Sequence, residues 1–79
     1  MTKLSELKVG TGSKVVRIDG NDDIAFRLLE MGLTPGVSIS MVGAAPLGDP
    51  LEYEVRGYRL SLRRSEAARV EIESQPVNS

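Results

Sequence analysis

The stretch LEYEVRGYRLSL, Leu51 to Leu62, confines this chain to a sheet-based fold. Two runs of alternating apolar and polar residues flank Arg56 and Gly57. Folding them back at that dipeptide sets Val55 opposite Tyr58, Tyr53 opposite Leu60 and Leu51 opposite Leu62. The other face then pairs Glu54 with Arg59 and Glu52 with Ser61. A slip of one residue would mix the faces, so burial of one face specifies the register. Asn-Gly or Asp-Gly is the usual pair for a two-residue hairpin turn, and arginine in first place leaves a slightly longer loop open.

Further segments alternate in the same way. GVSISMVG turns Val37, Ile39 and Met41 to one side, and RVEIE offers Val70 and Ile72 inward against Arg69, Glu71 and Glu73 outward. SKVVRID is a strand by its β-branched content, with Val16 and Ile18 as the expected inward pair and Val15 and Arg17 on the other face. Between the first two strands the period becomes helical: Ile24, Leu28 and Met31 share a stripe, with Leu29 beside them. Asn21 or Asp22 can cap that helix, Asp22 and Asp23 suit its dipole, Gly32 supplies a left-handed stop, and Pro35 prevents continuation. Ser65 can cap a single turn in RSEAA. These elements predict a mainly β fold, a small, partly open SH3-like barrel of about five antiparallel strands with one short helix near the N-terminus. Residues 1–79 are expected to form a single domain, with 74–79 a frayed tail.

Composition narrows the chemistry. At 79 residues the chain buries only roughly 60% of its unfolded surface, which leaves little room for an active-site pocket. It has neither cysteine nor histidine, so thiolate and imidazole ligands, disulfides and Ser-His or Cys nucleophiles are excluded. Ten basic and eleven acidic residues, net charge -1, argue against a dedicated nucleic-acid binder. No apolar run approaches the roughly 20 residues of a membrane span and no secretory leader is legible, so a soluble cytoplasmic protein is expected.

Most candidate motifs have a plain structural explanation. GTGSK lacks the spacing of a phosphate loop and precedes a strand, not a helix. Asp22 and Asp23 are accounted for by capping, which leaves Asp19 and Asp49 too scattered for a carboxylate metal site. Phe26, Tyr53 and Tyr58 are the only aromatics, and the hairpin register turns both tyrosines inward, away from any stacking role. No catalytic group, cofactor site or metal site is therefore expected. The loop GAAPLGDP, Gly43 to Pro50, differs: its prolines restrict the free loop, and Leu47 at its centre has no partner in the pattern.

RLLEMGLTPGVSI, APLGDPLEYEVRGYRLSLRRSEA and the closing VEIE resemble the FeoA family of bacterial ferrous iron transport, as do LSELKVG and VVRIDG at the start. The resemblance runs from about Leu4 to Glu73, in order and without a large gap. It implies an SH3-like domain that assists the FeoB permease without being an enzyme or a transporter. A similar domain follows the DNA-binding and dimerisation domains of iron-dependent repressors, and the absence of those domains here favours a free-standing protein.

The expected partner is the cytoplasmic part of FeoB, through which the protein would be recruited to the inner membrane; self-association remains open. The docking surface expected from the rigid, proline-bounded loops comprises Leu33, Thr34 and Pro35 together with Pro46, Leu47, Gly48 and Asp49 at one barrel end, rimmed by Arg63 and Arg64. Two alternatives stand beside docking: stimulation of GTP hydrolysis by an inserted arginine, Arg63 being the candidate, and nucleic-acid binding by a small barrel.

Overall fold

The computed structural model describes residues 2–74. Six strands form one antiparallel sheet in the order β1-β6-β2-β3-β4-β5: β1 (Thr2–Lys3), β2 (Gly12–Ile18), β3 (Ser38–Ala44), β4 (Leu51–Val55), β5 (Tyr58–Leu62) and β6 (Val70–Ile72). A 3-10 turn at Leu4–Glu6 follows β1. Helix α1 (Asp23–Glu30) joins β2 to β3, and the single turn α2 (Arg64–Ala67) joins β5 to β6.

The barrel-like bend comes from β2. Its first half pairs with β3, Ser13 opposite Ile39, while its second half pairs with β6, Val15 opposite Ile72. A register break between Val15 and Arg17 divides the halves, and such a bulge bends a strand. Here the structure corrects the expected facing. Val15 is buried, Val16 is half-buried at the bulge, and Ile18 only packs on the margin of the core. Strict alternation cannot hold across a bulge, because the extra residue changes the phase.

The hairpin register is as the alternation requires: Leu51 with Leu62, Tyr53 with Leu60 and Val55 with Tyr58. Arg56 and Gly57 both have positive φ, 52° and 86°, so the two-residue turn forms despite arginine in its first position. Tyr53 is fully buried and its hydroxyl donates to the Leu4 carbonyl at 3.1 Å, tying the start of the chain to the middle of β4. Tyr58, expected inward, is 43% exposed because β5 is the edge of the sheet, and its hydroxyl donates to the Met31 carbonyl.

Helix α1 is bounded as the sequence indicates. The Asp22 carboxylate accepts from the Ala25 amide at 3.2 Å. At the other end Leu33 N–H donates to Leu28 and Gly32 N–H to Leu29, the paired bonds of a Schellman stop, with Gly32 at φ 104°. The inward face is Ala25 and Leu28; Ile24 is 38% exposed, a correction to the predicted stripe. A short helix beside a small sheet buries a narrow face, and the small Ala25 fits closest.

Two further expectations change. Ser65 lies inside α2 and does not cap it; the Glu66 carboxylate accepts from the Arg63 amide at 2.8 Å instead. Glu71, expected outward, is buried between Lys3 (3.4 Å) and Arg17 (3.1 Å), because β1 adds itself outside β6 and brings Lys3 over it. The two-residue β1 is too short to show a pattern, which is also why about five strands were expected where six occur. The expected frayed tail, apart from Ser74, lies outside the described residues.

Candidate functional site

β3 ends at Ala44, opposite Leu51 of β4, and the connection between them is closed by its own backbone. Gly48 N–H donates to the Ala45 carbonyl at 2.7 Å, making a β-turn with Pro46 and Leu47 at its corners, and Ala45 N–H donates to the Pro50 carbonyl at 3.0 Å. Proline at the second position and glycine at the fourth suit such a turn. The turn is anchored from outside by the residues after β5. The Arg64 amide donates to the Asp49 carboxylate at 2.9 Å, and its guanidinium donates to the Gly48 carbonyl at 3.0 Å. Asp49 and Arg64 therefore meet through the Arg64 backbone and not as an ion pair.

Leu47 stands at the tip of this tied loop and is 97% exposed. Both ends of the loop are fixed, so holding Leu47 against a partner costs little extra ordering. Asp49, Pro50 and Arg63 line a shallow depression beside it. Arg63 is exposed, and among the described residues its guanidinium has no hydrogen-bond or ion-pair partner.

The rest of the expected surface is elsewhere. Leu33 is fully buried in the core, so it cannot serve as an exposed anchor. Its place as the residue after the helix-stopping glycine turns it back onto the helix. Thr34 and Pro35 are closed by Gly36 N–H donating to the Val15 carbonyl at 2.7 Å and Val37 N–H to the Thr34 carbonyl at 3.1 Å. That turn precedes β3, whereas Pro46 to Asp49 follow it, so the length of β3 separates them. One barrel end does not hold both sets; Pro46, Leu47, Gly48, Asp49, Arg63 and Arg64 form one constellation and Thr34 and Pro35 lie away from it.

What the sequence reading missed is the paired use of arginines inside the fold. Arg69 grips Asp22 with two guanidinium nitrogens, at 2.7 and 3.1 Å, and also donates to the Asp19 carbonyl. Arg27 pairs with Glu66, linking α1 to α2. Lys3 contacts Asp19 at 2.6 Å. These bonds hold Asp22 and Asp19 below the usual carboxylate range, through Arg69 and Lys3 respectively. Long sequence separation hides such pairs from any local pattern. Among the described residues, no three of His, Cys, Asp and Glu gather as a metal site, and no helix is long and apolar enough to cross a membrane.

A small, strongly bent antiparallel sheet with a helix between its second and third strands, and one exposed leucine on a fixed loop, defines an SH3-like module. The FeoA domain model matches residues 2–74, and the chain belongs to that family. FeoA of Stenotrophomonas maltophilia, described as a prokaryotic SH3 domain protein and solved with zinc, is 39% identical, with a TM-score of 0.82 over 92% of this chain and 91% of that one. FeoA of Chlorobium tepidum is 33% identical, with a TM-score of 0.86 over 99% and 74% of the respective chains. A Porphyromonas gingivalis protein named as a fusion of Fe(2+) transport protein A and the Fe(2+) transporter FeoB is 44% identical over 71 residues. Those residues are 90% of this chain and 8% of that protein.

Proposed function

We propose that this FeoA-family domain assists ferrous iron uptake by binding the cytoplasmic part of a FeoB-type permease through the Leu47 loop, and that residues 1–79 act as one domain. The observation that supports the partner is the fusion relative, in which the matching domain shares a polypeptide with FeoB. Covalent linkage raises the effective concentration of two modules that must meet, which is useful where their separate affinity is modest. The surface is supported by Leu47, whose exposed side chain is backed by a loop held at both ends. An apolar anchor at the centre of a polar rim, here Asp49, Arg63 and Arg64, is the arrangement that concentrates binding energy.

The test is capture of the FeoB cytoplasmic region by the wild-type protein and by Leu47→Asp, with folding of the variant verified. Loss of capture only in the variant supports both partner and surface. Equal capture by both overturns the surface, and no capture by either overturns the partner.

A second reading rests on the Arg63 guanidinium, which has no partner among the described residues. An arginine supplied to a nucleotide site stabilises transition-state charge. If Arg63 works in this way, excess protein raises the GTP hydrolysis rate of FeoB and Arg63→Ala abolishes the increase even at concentrations at which the variant saturates FeoB. An unmoved rate in both leaves docking as the whole function.

A further inference from the structure

Among the described residues the sheet does not close on itself, which leaves β5 as an edge strand. The other edge, β1, has only two residues; β5 has five and pairs with β4 without a bulge. With a two-residue turn at Arg56–Gly57, Val55 and Tyr58 form the first hydrogen-bonded pair, and alternation makes Tyr53–Leu60 and Leu51–Leu62 the next ones. The intervening Arg59 and Ser61 therefore direct their N–H and C=O groups away from β4. Among the described residues, neither takes part in a backbone hydrogen bond outside the strand ladder. The next residue in that phase, Arg63, has its amide taken by Glu66, so the open edge ends there.

The charge along this edge has one sign. Arg56, Arg59 and Arg63 are all exposed, and among the described residues none has an ion-pair or hydrogen-bonded partner for its guanidinium. Glu54 stands directly opposite Arg59 in the register yet makes no ion pair with it. Elsewhere the fold does pair its arginines: Arg17, Arg27 and Arg69 all have carboxylate partners.

We infer that the β5 edge binds an extended acidic segment of a partner protein by strand addition. The segment would hydrogen-bond to the outward amides and carbonyls of Arg59 and Ser61 and set its carboxylates against Arg56, Arg59 and Arg63. Strand addition draws affinity from the main chain and selectivity from alternate side chains, which is what a bare ladder with Arg59 and Arg63 in one strand phase and Arg56 at its turn provides. Charge selects this occupant over a second copy of the chain. In the antiparallel self-pairing that uses both outward amides, Arg59 faces Ser61 of the copy and Arg63 faces its Gly57, next to its Arg56. The cations of both edges then converge, and like charges on an edge oppose such pairing. The inference does not depend on the partner being FeoB, and Leu47 plays no part in it.

The probe is a short synthetic peptide in which Glu alternates with Val, titrated into the isotopically labelled full chain. We expect saturable shifts at the Arg59 and Ser61 amides and weaker binding as salt rises. Arg59→Glu and Arg63→Glu should each weaken binding about fivefold. A second peptide of the same sequence, N-methylated at alternate residues on its pairing side, keeps the charge and loses the donors; it should not bind. Equal binding by the methylated peptide overturns strand addition in favour of charge alone. Equal binding by a Lys-for-Glu peptide overturns the acidic selectivity. Concentration-dependent dimerisation through β5 in place of peptide binding overturns the choice of occupant.

Discussion

Two leucines separate core from surface in a way that the sequence alone leaves ambiguous. Leu33 and Leu47 both follow turn-forming residues and both lack a partner in the strand pattern. The structure buries Leu33 completely and exposes 97% of Leu47. The reason is local: Leu33 follows the left-handed Gly32 that ends α1, and the bond from its amide to Leu28 swings the side chain back. Leu47 occupies the corner of a β-turn, where the side chain projects outward. Leu33→Ala should therefore cost about 2–5 kcal/mol of unfolding free energy. Leu47→Asp should stay within about 0.5 kcal/mol of wild type. Denaturant unfolding of both variants checks the pair; a large loss in the Leu47 variant would mean that the loop carries packing the structure does not show.

At the scale of elements, legibility followed how local the determining forces are. The β4–β5 register was readable because one buried face and one short turn fix it. The limits of α1 were readable because caps are made within a few residues. The facing of β2 was not, since the bulge near Val16 answers to β6, far along the chain. Within the candidate site, the loop and Leu47 stood out by composition, while the separation of Thr34 and Pro35 from Pro46 to Asp49 depended on the direction of β3. The join between α1 and β5 offers an element-scale prediction. Gly32 has φ 104°, and a Cβ placed there would run into the Tyr58 hydroxyl, which already holds the Met31 carbonyl. Gly32→Ala should thus cost about 1–2 kcal/mol for the left-handed backbone and push Tyr58 off Met31. Denaturant unfolding together with the Tyr58 ring chemical shifts reads both effects. An unchanged stability would show that the helix stop tolerates a side chain.

Over the whole molecule, one end of the sheet is held together by charge and the middle by a buried phenol, and between them they make stability depend on pH on both sides of neutrality. Lys3 reaches Asp19 and Glu71, and Arg69 reaches Asp22, so β1, β2, β6 and the start of α1 are linked by these bonds. Asp22, lowered from its usual 3.8 mainly by its bond to Arg69, and Asp19, lowered mainly by Lys3, bind protons more weakly in the folded state. Their contribution is present above the unfolded value and is lost as the pH falls through the folded one. On the alkaline side the sign reverses. Burial pushes the Tyr53 phenol from 10.0 to about 12, and Asp19 raises Lys3 above 10.5. Both hold their protons more tightly when folded, so their stabilisation is complete below about pH 10 and is lost as the pH rises through the folded values. With no histidine in the chain, no side chain has its ordinary transition between about pH 5 and 8. Unfolding free energy from denaturant titrations should accordingly be flat over that window, fall in acid, and fall again above about pH 10. Tyr53→Phe should lower the plateau by about 1–2 kcal/mol, through the bond lost to the Leu4 carbonyl, and make the alkaline fall shallower. A steep dependence between pH 5 and 8, or an alkaline limb unchanged in the Phe variant, would contradict the assignment of Tyr53 as the buried group that resists ionisation.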